Sequence, residues 1–180
     1  MNLENFKDTL STCTDCALCE NRTQIVFGEG GDNAKIMLVG EAPGKNEDLQ
    51  GLPFIGKSGK LLDDMLATVG LFRGENVYIT SICKCRPPEN RDPKPAERNA
   101  CLVHLQKQIE IINPKIVVCL GRIAALCLID KKFSVTAHHG EFIEKDGRLY
   151  TATLHPAAVL RNINNRPIVE NDFMKIKNLL

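Results

Sequence analysis

Four cysteines fall in two sets far apart in the chain: Cys13-x2-Cys16 near the start, and Cys85 and Cys101 bracketing CKCRPPENRDPKPAERNAC. That bracketed stretch is too rich in proline and charge to be core, so the thiols flanking it point to sulfur chemistry rather than packing. Their joint product is one metal centre tying the N-terminal arm to a distant loop. A second C-x2-C would have favoured zinc, but the far pair is separated by fifteen residues. By ligand type alone, zinc and an iron–sulfur cluster both accept four thiolates. Cys119 and Cys127 sit in apolar segments and read as core, whereas Cys19 and Cys83 lie close enough in sequence to compete as ligands.

A second group of residues has acid, aromatic and imidazole chemistry. Gly40-Glu41-Ala42-Pro43-Gly44 lacks both the glycine spacing of a dinucleotide loop and the lysine of a phosphate loop. It reads alone as a tight turn with an exposed glutamate. Phe54, between Pro53 and Ile55, is either a core aromatic or a ring for stacking a flat ligand. Gly56-Lys57-Ser58-Gly59 precedes a helical pattern, where free N–H groups either attract phosphate or are simply capped. His155-Pro156 follows an apolar run, and Leu160-Arg161 after it suits either a wedge into a base stack or a plain helix start.

The elements that must position these groups alternate. KIMLV (35–39), NVYITSI (76–82), KIVVCL (115–120) and LYTATL (149–154) read as strands. Between them, Leu61, Leu62, Met65, Leu66 and Val69 recur at helical spacing behind an N-cap at Ser58, with Gly70 closing the helix. Pro95 opens a second helix to about Ile112, IAALCLI is helical, and a last helix covers Val169 to Leu179. Residues 133–148 suggest a short hairpin turning at Asp146-Gly147, and Asn2 to Leu10 a short helix. This alternation predicts a parallel sheet with helices on both faces, whose ligands bind at the carboxyl ends of the strands. The GEAPG, SICKCRPP and HPAAVLRN segments all begin there.

Bulk properties narrow the class. The 180 residues, 43% apolar and 25% charged with a net charge of +1, are those of one ordinary globular domain rather than an overt polyanion binder. Lys84, Arg86, Arg91, Lys94 and Arg98 gather near the second cysteine pair, as either a positive face or ordinary solvated charge. The polar start MNLENFKDTLSTC and the short apolar runs predict neither signal peptide nor membrane span. The expected location is the cytoplasm, where eight cysteines argue against a disulfide framework.

Together, NRTQIVFGEG (21–30), VGEAPGKNEDLQGLPFIGKSGKLL (39–62), VYITSICKCRPPENRDP (77–93), CLVHLQKQIEIINPKIVVCLG (101–121) and HPAAVLRN (155–162) resemble the family-four uracil-DNA glycosylases, the iron–sulfur branch of that superfamily. The resemblance covers nearly the whole chain in the right order. It implies a single-domain, three-layer α/β/α fold around a four-stranded parallel sheet. It implies a structural 4Fe-4S cluster on Cys13, Cys16, Cys85 and Cys101, leaving Cys19 and Cys83 without a ligand role. The implied activity is hydrolytic excision of uracil from DNA, by a protein expected to act as a monomer.

In the implied site, Glu41 and His155 are catalytic. His155 donates a hydrogen bond to the uracil oxygen, and Glu41 orients water or steadies the sugar cation. Glu41, Ala42, Pro43, Phe54, Ser81 and His155 form the uracil pocket, with Phe54 stacking on the flipped base. Ser58, Val159, Leu160 and Arg161 contact DNA, the last three filling or propping the gap left in the duplex. One departure stands out: after VYIT the family usually has asparagine, and this chain has Ser81. A hydroxyl cannot make the paired donor–acceptor contact of an amide, so weaker or broader base recognition is expected. Two other classes remain as alternatives: an iron–sulfur DNA-binding or redox-sensing protein with impaired catalysis, and a zinc-stapled nucleotide-binding domain.

Overall fold

In the computed structural model, which describes residues 2–180, the strands are β1 (Ile36–Gly40), β2 (Val77–Ser81), β3 (Ile116–Leu120), β4 (Ile143–Lys145) and β5 (Arg148–Thr153). The helices are α1 (Leu3–Leu10), α2 (Lys45–Gln50), α3 (Lys57–Thr68), α4 (Pro95–Ile112), α5 (Arg122–Leu128), α6 (Val135–His138), α7 (Pro156–Arg161) and α8 (Arg166–Lys177). The sheet order is β2-β1-β3-β5-β4. The first four strands are parallel, and β4 adds to β5 as an antiparallel fifth through the hairpin at Asp146-Gly147, where Lys145 pairs with Arg148.

Both faces of the sheet are covered, so every residue of β1, β2 and β3 is buried, polar Thr80 and Ser81 included. Alternate side chains feed two separate cores. Met37, Val39, Val117 and Cys119 pack with α1, α4 and α5 on one face. Ile36, Leu38, Ile116 and Val118 pack with Leu62, Met65 and Leu66 of α3 and Phe173 of α8 on the other.

Both margins of the sheet are blunted. On the β2 side, the 26–30 segment lies alongside through reciprocal bonds between Glu29 and Ile79 (2.9 and 2.7 Å). On the other side, β4 is three exposed residues, two of them charged.

Three local expectations require correction. The N-cap of α3 is Gly56, and Ser58 lies inside the first turn. KNEDLQ, polar but for Leu49 and assigned to no helix above, forms α2, because Gly51 at φ +72° closes a short turn of helix behind Gly44. Lys84 belongs to no positive face. It is 2% exposed, and its ammonium donates to Thr80 Oγ1 (2.6 Å) and the Ser81 carbonyl (2.7 Å).

Candidate active site and thiol centre

The carboxyl ends of β1, β2 and β5 open into one cleft of about 510 Å3. Glu41, Ala42 and Pro43 enter it directly after β1, Ser81 from the last position of β2, and His155 two residues beyond β5. Phe54 arrives from the loop between α2 and α3. Side chains scattered over more than a hundred residues of sequence therefore share one concavity, because parallel strands all point their carboxyl ends the same way.

His155 caps the N-terminus of α7, and its Nδ1 accepts from the Ala157 N–H at 3.1 Å. That bond fixes the tautomer: a neutral ring with Nδ1 accepting carries its proton on Nε2. Burial, with a smaller push from Arg161, lowers the imidazole to about 4, so at neutral pH the ring is an uncharged donor. Gly121 has to be glycine here, because at its φ of +88° a Cβ would stand 2.9 Å from that of His155.

Glu41 is pushed up to about 7, first by burial and then by the Asp92 carboxylate, which repels its charge and shares a hydrogen bond with it. Arg122 and Arg98 oppose the shift. The side chain therefore sits near the midpoint of its titration at neutral pH, as suits a group handling a proton or a developing cation.

Phe54 is 8% exposed, and its ring centroid lies 5.7 Å from that of His155 at an interplanar angle of 36°. Its backbone is left-handed, φ +51°, which for a bulky side chain costs on the order of 1–3 kcal/mol. Close approach explains two neighbours. A Cβ at Gly40 would fall 2.5 Å from the Phe54 ring, and one at Gly59 would fall 1.8 Å from its carbonyl oxygen. On the cleft side of the loop, Glu47 Oε1 accepts from the Ile55 and Gly56 amides, both at 3.0 Å.

Among the residues expected at DNA, Ser58 lines the cleft, as does Arg161. Leu160 is 49% exposed, whereas Val159 is fully buried in the core with α3 and α8. The expected duplex contact by Val159 is therefore corrected: α7 docks on α3 and α8 with Val159 turned inward, leaving Leu160 at the surface. The sequence reading missed Glu47, Asn90 and Asp92, which also line the cleft, as does Arg91 of the basic group noted above. PPENRD carried only the signal of a polar loop, and its folding back over the cleft depends on long-range ties. One of these is the bidentate pair of Arg91 with the buried Glu97, at 2.9 and 2.7 Å.

Cys13, Cys16, Cys85 and Cys101 line a second, apolar cavity. The Lys84 N–H donates to Cys101 Sγ (3.3 Å) and Arg22 Nη1 to Cys85 Sγ (3.5 Å), contacts that favour sulfur as an anion. Cys83 is fully buried beside this pair, and Cys19 also lines the cavity. A tetrahedral zinc, with Zn–S near 2.3 Å, would draw its sulfurs to roughly 3.8 Å from one another. Among the described residues, the one set of three or more ligand atoms lying mutually within 4.8 Å is Cys13, Asp15 and His104. No three of the four thiols meet that limit, so they stand farther apart than one zinc would hold them.

The uracil DNA glycosylase superfamily profile matches residues 27–176. A type-4 uracil-DNA glycosylase of Sulfurisphaera tokodaii is 44% identical, covering 99% of this chain and 84% of the relative. Those of Archaeoglobus fulgidus and Thermotoga maritima are 44% and 43% identical, covering 99% of this chain and 93% and 94% of their own lengths. A type-5 uracil-DNA glycosylase of Pyrobaculum aerophilum is more distant, 33% identical over 73% of this chain. With cleft, thiol centre and sequence in agreement from end to end, the chain belongs to the uracil-DNA glycosylase superfamily, in its type-4 family.

Proposed function

We propose that the protein excises uracil from DNA by hydrolysing the N-glycosidic bond, leaving an abasic site. The observation that carries this reading is the meeting of Glu41, Phe54 and His155 in one cleft at the carboxyl edge of the sheet. The target base leaves the stack at a cost of about a few kcal/mol. Stacking on Phe54 offsets roughly 1–3 kcal/mol of that cost. As the bond breaks, negative charge grows on the uracil oxygens and positive charge on the sugar. The His155 Nε2–H, held by the Ala157 bond, donates to the oxygen, and one such donor is worth about 3 kcal/mol in the transition state. Glu41 as carboxylate steadies the sugar cation or orients the attacking water. Leu160 and Arg161 occupy the gap in the duplex.

Cys13, Cys16, Cys85 and Cys101 would hold a 4Fe-4S cluster, whose contribution is structural because hydrolysis moves no electrons. It would fix the loop that carries Asn90, Arg91 and Asp92 to the cleft. Freshly purified protein should be brown, with absorbance near roughly 400 nm.

A uracil-containing oligonucleotide incubated with the protein, then treated with alkali, should break at the uracil position. An intact strand after prolonged incubation with brown protein would discard the glycosylase reading in favour of an iron–sulfur DNA-binding protein without catalysis.

A further inference from the structure

We propose that Arg73 is a positioning residue for base capture: its guanidinium clamps the backbone of the Phe54 loop and so sets the ring over the uracil pocket. The role of the ring rests on the function proposed above; the clamp itself rests on the geometry of this chain. Arg73 lies outside the cleft, yet all five of its N–H groups are engaged. Nη1 donates to the Pro53 carbonyl at 2.5 Å and to Glu29 Oε2 at 2.9 Å. Nη2 donates to the Phe54 carbonyl at 2.7 Å and to Asp63 at 3.0 Å, and Nε adds a bond to Asp63 at 3.2 Å. The side chain is only 15% exposed.

Two independent features explain why such a clamp is needed. Phe54 is held left-handed at φ +51°, a state that persists in a bulky residue only when its surroundings over-determine it. The second is the direction of the pull. Arg73 draws the Phe54 carbonyl toward Gly59, where nothing larger than hydrogen leaves room for it, and the ring consequently swings the other way against Gly40 and His155. Released, the peptide relaxes toward ordinary backbone and the ring leaves its place beside His155. A lysine cannot substitute, since one ammonium offers three donors from a single nitrogen and cannot span two carbonyls and two carboxylates.

The test is a cycle of single-turnover uracil excision rates for wild type, Arg73→Lys, Arg73→Met, Phe54→Ala and the double variant Arg73→Lys/Phe54→Ala, with Asp64→Asn, at an exposed neighbour on α3, as control. Loss of a stacked base contact corresponds to roughly a five- to 150-fold fall. Arg73→Lys and Arg73→Met should each lose within that range, chiefly through a raised half-saturating DNA concentration, and Asp64→Asn should stay near wild type. The double variant should be no slower than Phe54→Ala alone. Multiplied losses in the double variant overturn the proposal, as does a wild-type rate in Arg73→Lys. A lost cooperative thermal melt in Arg73→Lys also overturns it, by assigning Arg73 to the fold at large.

If the wild type leaves uracil intact, the functional reading fails, and the clamp is judged by the 13C-aromatic NMR signal of Phe54, assigned by its disappearance in Phe54→Ala. That signal should shift in Arg73→Lys and not in Asp64→Asn. An unmoved signal refutes the clamp.

Discussion

Replacing Asp92 with asparagine should move the pH profile of excision without altering its plateau. With Glu41 at about 7, its carboxylate is about one-half formed at pH 7 and about one-tenth formed at pH 6. If the ionised form does the work, excision rises tenfold per pH unit up to about 7 and then levels. Asp92 is the principal charge raising that value, behind burial itself. Removing its charge lowers the Glu41 pKa and carries the acid limb to lower pH. The gain over wild type at pH 6 is bounded at about tenfold, where Glu41 becomes fully ionised. Arg122→Met should act oppositely, since Arg122 holds the pKa down. His155, already neutral above about 4, contributes no inflection in this window. Single-turnover rates between pH 5 and 9 at constant ionic strength measure the limb. A flat wild-type profile, or an Asp92→Asn limb superimposed on it, refutes the reasoning. Linkage gives an independent sign: a carboxylate whose folded pKa is raised binds its proton more tightly when folded. Its contribution to stability therefore falls as pH rises from about 4.5 to 7.

His155→Ala should slow the chemical step by on the order of 10²-fold, with little change in DNA affinity, as read by single-turnover rates against equilibrium binding. Ser81→Asn should raise the rate on uracil and sharpen preference over hypoxanthine and xanthine; equal rates and preferences would dismiss a recognition role for this buried position. Cys85→Ser and Cys101→Ser should lose absorbance near roughly 400 nm and melt at lower temperature, while Cys83→Ser should keep the colour. Gly59→Ala should lower the melting temperature markedly, because its Cβ meets the Phe54 carbonyl backbone rather than a side chain that can turn aside.

The sheet was legible because β1 and β3 read as short apolar runs and β2 and β5 as stretches rich in β-branched and aromatic residues, and the Asp146-Gly147 turn announced the hairpin. The residues meeting in the cleft were legible as loop segments at strand ends and through the family resemblance. What escaped depended on distance in the fold. KNEDLQ has no apolar stripe to mark α2. Lys84 looked like surface charge, since nothing in its neighbours says that its ammonium will find Thr80 and Ser81. Val159 and Leu160 are indistinguishable by type, and only the docking of α7 on the core sends one inward. Arg73 carried no signal, because the two carbonyls it holds belong to backbone, which no side-chain pattern reports.

The treatment of the sheet's two margins bears on how the protein keeps company with itself. A parallel sheet left open would present a row of amides and carbonyls to any passing strand. Here the 26–30 segment satisfies Ile79 at one rim, and a stub of three residues with Glu144 and Lys145 finishes the other. Fibrous stacking by strand addition has no flat, apolar rail on which to begin.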